Sequence, residues 1–230
     1  MVIAIDGPSG AGKSTVARLL AERVGYVYVD TGAMYRVVAL KAQQAALDFN
    51  DEKGLANLCR SITIDLQRDE NGIRVICNGA DVTDAIRRPS MSLLASDISR
   101  VRAVRESLVE LQRRFGQKGG IVLEGRDIGT VVFPGADLKF FLDANPRTRG
   151  KRRHEELTAR GEEVELEETI REIEKRDASD RTRTLAPLRR AEDAVLIDTT
   201  HLGVEEVVEK MVQIYQEKVE GAKRTPGQKD

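Results

Sequence analysis

The sequence predicts a three-layer α/β fold: a parallel sheet flanked by helices, interrupted by a small antiparallel β insert. Three observations carry this expectation. Short β-branched runs alternate with segments of helical period, as in βαβ units. The first such run leads directly into Gly7-Pro8-Ser9-Gly10-Ala11-Gly12-Lys13-Ser14, which matches G-x-x-x-x-G-K-[ST], the phosphate-binding P-loop pattern. Between residues 62 and 83 the apolar period drops to two and turn residues intervene, as in hairpins.

Each element follows from its own pattern. Val2-Ile3-Ala4-Ile5 is β-branched and uninterrupted, the mark of a strand buried on both faces. Ser14 to Val24 is a helix, with Val16, Leu19, Leu20 and Val24 in one apolar stripe. Tyr26 to Val29 is a second strand ending at Asp30, and Ala33 to Leu47 a second helix. Ile62, Ile64 and Leu66 alternate with Thr63 and Asp65, so one face of that strand is buried. Asp69-Glu70-Asn71-Gly72 reads as a turn into a strand from Ile73 to Cys77, and Asn78-Gly79 as another before Asp81-Val82-Thr83. Val101 to Phe115 is helical. Ile121 to Leu123, Leu138 to Leu142 and Ala194 to Ile197 are buried-type strands. An acidic helix is expected from Glu162 to Glu174, and a last amphipathic helix from Val204 to Val219. The polar tail, 221–230, is expected to be disordered.

Composition narrows the function classes. At 230 residues the chain can build one sizeable core with appended parts. A formal net charge of -1 gives no global basic field for long nucleic acid, and the absence of Trp argues against base-stacking platforms. No apolar stretch approaches the roughly 20 residues that span a bilayer, and no secretory leader pattern is seen. Cys59 and Cys77 form no C-x-x-C pair, and His154 and His201 are far apart in sequence, so neither a disulfide framework nor a zinc site is expected. The expected setting is the cytoplasm.

Ligands of parallel α/β sheets gather at the C-terminal strand ends. Those ends carry Asp6-Gly7, Asp30-Thr31-Gly32, Glu124-Gly125-Arg126-Asp127 and Asp198-Thr199. Arg126-Asp127, directly after a buried strand, reads as functional; Asp198 reads as a cap. In the P-loop, glycines let successive amides face phosphate, Lys13 reaches the β- and γ-phosphates as a solvated loop cation, and the Ser14 hydroxyl ligates Mg²⁺. Arg147, Arg149, Lys151, Arg152 and Arg153 form one basic cluster. Arg176, Asp180 and Arg183 share a helix face at i, i+4 and i+7. Alone, that face could be a solvated set of ion pairs. Beside a P-loop it supplies the cations that phosphoryl transfer needs, on a segment able to close over substrate.

At this point the chain resembles the cytidylate (CMP) kinases of bacterial type over nearly its whole length. The resemblance rests on Ile5-Asp6-Gly7-Pro8-Ser9-Gly10-Ala11-Gly12-Lys13, Asp30-Thr31-Gly32-Ala33-Met34-Tyr35-Arg36, Gly125-Arg126-Asp127-Ile128-Gly129-Thr130-Val131-Val132-Phe133-Pro134 and Arg176-Asp177-Ala178-Ser179-Asp180-Arg181. The P-loop is widely shared; the second and third blocks are far more specific. Small departures, Ser14-Thr15 after the loop lysine and Thr31 where some members have Ser, keep or add a hydroxyl. The resemblance implies a core P-loop domain of residues 1–30, 98–147 and 186–220. It also implies an NMP-binding domain at 31–97, with the β insert near 58–97, and a LID at 148–185.

It further implies transfer of the ATP γ-phosphoryl group to CMP or dCMP with Mg²⁺, in pyrimidine nucleotide metabolism, by an enzyme expected to act as a monomer with small-molecule partners and neither nucleic acid nor membrane. By the same resemblance, Gly7, Pro8, Ser9, Gly10, Ala11, Gly12, Lys13, Ser14 and Thr15 hold ATP, with Arg152 or Arg153 on the ATP side of the LID. Thr31, Arg36, Ser96, Arg105, Arg126, Asp127, Arg176, Asp180 and Arg183 fall to CMP. Within that set Arg36, Arg126 and Arg183 face its phosphate, Ser96, Arg105 and Asp127 its cytosine, and Arg176 and Asp180 its sugar hydroxyl. Lys13, Arg126 and Arg183 are the catalytic candidates and Ser14 the metal ligand. Bland alternatives stay open: Asp127 as the ion-pair partner of an arginine, Ser96 as a helix cap. Rival functions are another small-molecule P-loop kinase, of uridylate or shikimate type; a GTPase-like switch, for which no N-K-x-D guanine motif is present; and a nucleic-acid module.

Overall fold

The computed structural model describes residues 1–69 and 72–224. Its elements run β1 (Val2–Asp6), α1 (Lys13–Val24), β2 (Val27–Asp30), α2 (Thr31–Gln44), α3 (Glu52–Ser61), β3 (Ile64–Asp69), β4 (Gly72–Cys77), β5 (Ala80–Asp81), α4 (Pro89–Ile98) and α5 (Arg102–Gly116). They continue with β6 (Ile121–Gly125), β7 (Leu138–Asp143), α6 (Pro146–Ala159), α7 (Leu166–Thr182), β8 (Val195–Asp198) and α8 (Val204–Arg224). Five strands form a parallel sheet in the order β2-β6-β1-β7-β8. The central strand β1 places Ile3 opposite Val122 on one side and Leu138 on the other.

The apolar runs make two cores because successive side chains leave opposite faces of a strand. Ile3, Ile5, Val122, Phe140 and Leu142 face α1 and α8, where they meet Leu20, Val208 and Met211. Ala4, Val29 and Leu123 face the other layer, with Met34, Val38, Val104 and Leu108 of α2 and α5. Burying each large apolar side chain contributes about 1.5–3 kcal/mol. A parallel sheet covered on both sides therefore aligns its strand ends: Asp6 lies beside Gly125, Asp30 beside Glu124, and Asp143 beside Asp198. At that edge Asp198 accepts the Thr200 amide at 2.8 Å, a local turn contact; the helix cap expected of it is not formed, because α8 begins only at Val204.

The insert is the separate antiparallel sheet β3-β4-β5. Asn78 and Gly79 have φ of 49° and 79°, the pair of positive values that a two-residue hairpin turn needs. Glu70 and Asn71 of the other expected turn lie outside the described residues. Asp69 and Gly72 pair with each other within this antiparallel sheet.

Several boundaries differ from the sequence expectation. Helices α3 and α4 have no counterpart in it. The first is short and fully buries only Leu55; the second spaces Met91, Ala95 and Ile98 between small polar residues, which blurs the stripe. The acidic helix begins at Leu166, after the left-handed Gly161 (φ 82°), and runs on to Thr182. The expected disordered tail is corrected at its start. Residues 221–224 continue α8, since Gly221 is followed by the good helix formers Ala222, Lys223 and Arg224 and no proline comes before residue 226; residues 225–230 lie outside the described residues. Among the described residues no helix is long and apolar enough to cross a membrane.

Candidate active site

The loop between β1 and α1 is shaped by glycines at two points. At Gly7, with φ of 151°, a Cβ would lie 2.1 Å from the Leu142 carbonyl oxygen, so the loop starts directly on the β7 backbone. Gly12, at φ 86°, is the left-handed N-cap of α1, and no side chain caps that helix. The amides of the first turn and the positive end of the helix dipole are thus left for an anion.

Lys13 departs from the expectation of a solvated cation. It is 6% exposed, and its Nζ donates to the Pro8 carbonyl at 2.6 Å. The loop curls back over its own lysine, which sequence spacing could not reveal. Burial, then the Arg126 and Arg176 charges, pull its pKa down to about 7, against Glu124 and Asp177. The sign of the consequence is definite. In the free protein the cationic fraction of Lys13 falls as pH rises through about 7; bound phosphates stabilise the cation and push the value back up. We therefore expect kcat/KM for ATP to decline above about pH 7, while kcat at saturating ATP holds to higher pH. Parallel pH profiles for the two parameters would contradict this.

Ser14 opens α1 beside a buried acid. Tyr28 donates its hydroxyl to Glu124 Oε1 at 2.6 Å, and the Ser14 side chain hydrogen-bonds in the same cluster. Burial and the nearby Asp30 push the Glu124 carboxyl up; Lys13 and Ser14 work against this. A hydroxyl with carboxylate oxygens close by is the hard-oxygen set that suits Mg²⁺, an ion that keeps waters and takes phosphate ligands. Among the described residues no group of three or more His, Cys, Asp or Glu forms an all-protein metal cage.

Opposite the loop lies a nest of arginines gathered from three helices and a strand end. Asp30 caps α2 through the Ala33 amide at 2.9 Å and holds Arg36 Nη2 at 2.7 Å. Thr31 Oγ1 donates to the Glu124 carbonyl at 2.7 Å, which fastens the start of α2 to β6. Asp127 receives Arg105 Nη2 at 3.0 Å and faces Arg183 Nη2 at 3.5 Å. Arg105 also donates to the Tyr35 hydroxyl at 3.2 Å, with its guanidinium 5.7 Å from that ring's centre. Arg126 Nε donates to Asp180 Oδ2 at 2.9 Å, and Ser96 Oγ lies 3.5 Å from the other Asp180 oxygen. Arg183 Nη1 donates to Ser99 Oγ at 3.2 Å.

The charges in this nest do not balance. Burial opposes the Asp180 carboxylate, yet Arg126, Arg176 and Arg183 hold it below its usual range. Burial and Arg126 bring Arg176 down to about 10. Arg36 Nε, Arg105 Nε and Arg176 Nε are buried N–H donors with no hydrogen-bond acceptor in the protein, and Arg183 Nη2 has only the 3.5 Å ion pair with Asp127. Each such donor costs about 1–3 kcal/mol, and a polyanionic ligand is what relieves both imbalances.

The loop and the nest face each other across one cleft of about 930 Å³. Every candidate site residue named from the sequence lines it except Gly7 and Pro8, which shape the loop from behind. Arg152 donates to the Thr199 hydroxyl and carbonyl at 3.0 and 2.6 Å, and Thr199 donates to the Ala11 carbonyl at 3.3 Å, so α6 reaches the loop side. Arg153 pairs with Glu156 at 2.8 Å. Sequence reasoning gave no site role to Tyr28, Tyr35, Ser99 and Glu124, all in the cleft wall. Tyr35 and Glu124 could have been found, the first inside the D-T-G-A-M-Y-R block and the second at a strand end. Ser99 carried no signal.

A P-loop heading a parallel sheet, set across one cleft from arginines on the surrounding helices and at a strand end, defines a P-loop kinase. A gluconokinase from Sinorhizobium meliloti shares the fold, with a TM-score of 0.50 at 14% identity over 98% of this chain and 97% of that one. The family model described as Cytidylate kinase matches residues 3–217. Relatives named Cytidylate kinase include that of Syntrophotalea carbinolica, 55% identical over 95% of this chain and 93% of its own. That of Geobacter sulfurreducens is 52% identical over 99% and 96%. The chain belongs to the cytidylate kinase family.

Proposed function

We propose that this chain transfers the γ-phosphoryl group of ATP to CMP and dCMP, giving ADP with CDP or dCDP. One observation carries the reading. A single cleft holds a triphosphate-type loop at one end and, at the other, unpaired arginine donors around a buried carboxylate. A phosphate oxygen of CMP attacks the γ-phosphorus, the new P–O bond forms, and the bond to the β-phosphate oxygen breaks. Lys13, Arg126 and Arg183 stabilise the charge on the transferring group, which is where most catalysis of this step arises. Loop amides from Gly10 to Ser14 hold the ATP phosphates, and Arg36 steadies the CMP phosphate. Mg²⁺ would be held by the Ser14 hydroxyl beside Glu124, and when bound it neutralises phosphate charge.

Base choice follows from donor and acceptor patterns. Cytosine offers a 4-amino donor, with N3 and O2 as acceptors; uracil offers O4 as an acceptor and N3–H. Asp127 accepts from the amine, Arg105 donates to N3 or O2, and Ser96 adds a hydroxyl. Arg176 and Asp180 hold the sugar hydroxyl. ATP and CMP or dCMP are the only partners this scheme needs, in keeping with a cytoplasmic monomer. A coupled assay of ADP formation with CMP, dCMP, UMP and AMP tests the reading. Higher kcat/KM for CMP and dCMP than for UMP and AMP is expected. Preference for UMP would favour a uridylate kinase, and no transfer to any of them would overturn the assignment.

A further inference from the structure

The mechanism leaves two buried charges without a task. Arg149, in the first turns of α6, and Asp177, in the last third of α7, form an ion pair with side chains only 4% and 5% exposed. Neither lines the cleft. Together they hold one residue of the phosphate loop at both of its backbone polar groups, one in each of the successive peptides Pro8–Ser9 and Ser9–Gly10. The Ser9 N–H donates to Asp177 Oδ1 at 3.1 Å, and the Ser9 carbonyl accepts from Arg149 Nη1 at 2.8 Å. Arg149 Nε reaches back to the Ala144 carbonyl, just past β7, at 2.8 Å. The next loop residue is equally confined: a Cβ on Gly10 would lie 2.7 Å from the Arg149 carbonyl oxygen.

Stability does not explain such a pair, because well-packed apolar residues of similar volume serve a core as well or better. What apolar residues cannot do is grip a peptide. Ser9 precedes the run whose amides must converge on the triphosphate, and small misplacements of such groups are expensive in rate. We propose that Arg149 and Asp177 are positioning residues for the nucleoside triphosphate: by fixing the Ser9 backbone on both sides of its Cα they preset the amides of Gly10 to Ser14, and they pin the bases of α6 and α7 to that loop. The appendage expected at 148–185 is then not free along its whole length. Its roots at Arg149 and Asp177 are anchored, and closure belongs to the hairpin between them.

The inference rests on the proposed function only for the identity of the acceptor, so ATP binding is measured on its own as well. The double variant Arg149→Met/Asp177→Leu replaces the pair by apolar side chains; Arg149→Lys keeps a charge toward Asp177 but loses the two-pronged hold on Ser9 and Ala144. Melting curves, calorimetric titration with ATP, and KM for ATP and for CMP are recorded on the full chain. The double variant should melt near the wild type, lose ATP affinity by about tenfold or more and keep KM for CMP within about twofold; Arg149→Lys should show a smaller loss of the same kind. In wild-type hydrogen exchange, ATP should add protection between residues 155 and 170, with 149–152 and 176–180 already protected without it. Wild-type ATP affinity in a folded double variant overturns the proposal. If that variant does not fold, unchanged ATP affinity in Arg149→Lys does so. A wild type that binds ATP but ignores CMP would instead sink the proposed function and leave this test intact.

Discussion

Lys13→Ala should lower kcat with CMP by about two to three orders of magnitude while leaving the fold intact. The lysine lies under its own loop, bonded to the Pro8 carbonyl at 2.6 Å, and Arg126 and Arg176 add to the burial that depresses its pKa to about 7. Its charge is therefore held against an adverse field and is fully supported only when phosphates arrive. That cost is borne by the free protein and is offset in the complex. Alanine removes a buried charge that nothing in the core needs, so the melting temperature should stay or rise. Lys13→Met, which keeps the length and loses the charge, separates packing from electrostatics. Steady-state kinetics and thermal melting decide, and near-normal turnover in both variants would remove Lys13 from the mechanism.

The uneven legibility of this chain has physical reasons. The core strands were readable because each is an apolar run buried on both faces, and the P-loop because its spacing encodes a backbone shape. Helix α4 was missed because Ser90, Ser92 and Ser96 dilute a stripe that becomes apolar only against α2. The candidate residues were legible as types at strand ends and on one helix face; their partners were not. That Arg105 of α5 meets Asp127 at the end of β6, and that Asp127 also faces Arg183, are contacts between distant segments. No local period encodes them. Lys13 shows the same limit, since its burial depends on how Gly7 seats the loop against Leu142.

The contacts of Asp127 sharpen the prediction on base selection. Asp127→Ala should lose more activity with CMP than with UMP, so that the CMP/UMP ratio of kcat/KM falls by about one to three orders of magnitude. In the proposed function the carboxylate accepts from the cytosine amine and would face uracil O4 acceptor to acceptor; removing it then deletes an attraction for one base and a repulsion for the other. In this structure the same carboxylate also separates two buried guanidinium groups, Arg105 and Arg183. Burial and then Arg105 lower the Arg183 pKa, and Asp127 counters them. Taking away one partner of a buried pair costs about 3–5 kcal/mol, so alanine alone would mix specificity with stability. Asp127→Asn keeps the shape and one acceptor toward Arg105, and its amide can donate to uracil O4. It should shift the ratio toward UMP with a smaller loss of melting temperature. Arg126→Ala is the internal control: Arg126, bonded to Asp180 at 2.9 Å, is proposed to act on phosphate and not on the base, so its loss should impair both substrates alike. If both Asp127 variants depress CMP and UMP equally, the carboxylate serves to hold Arg105 and Arg183 in place, and the base is read by the arginines alone.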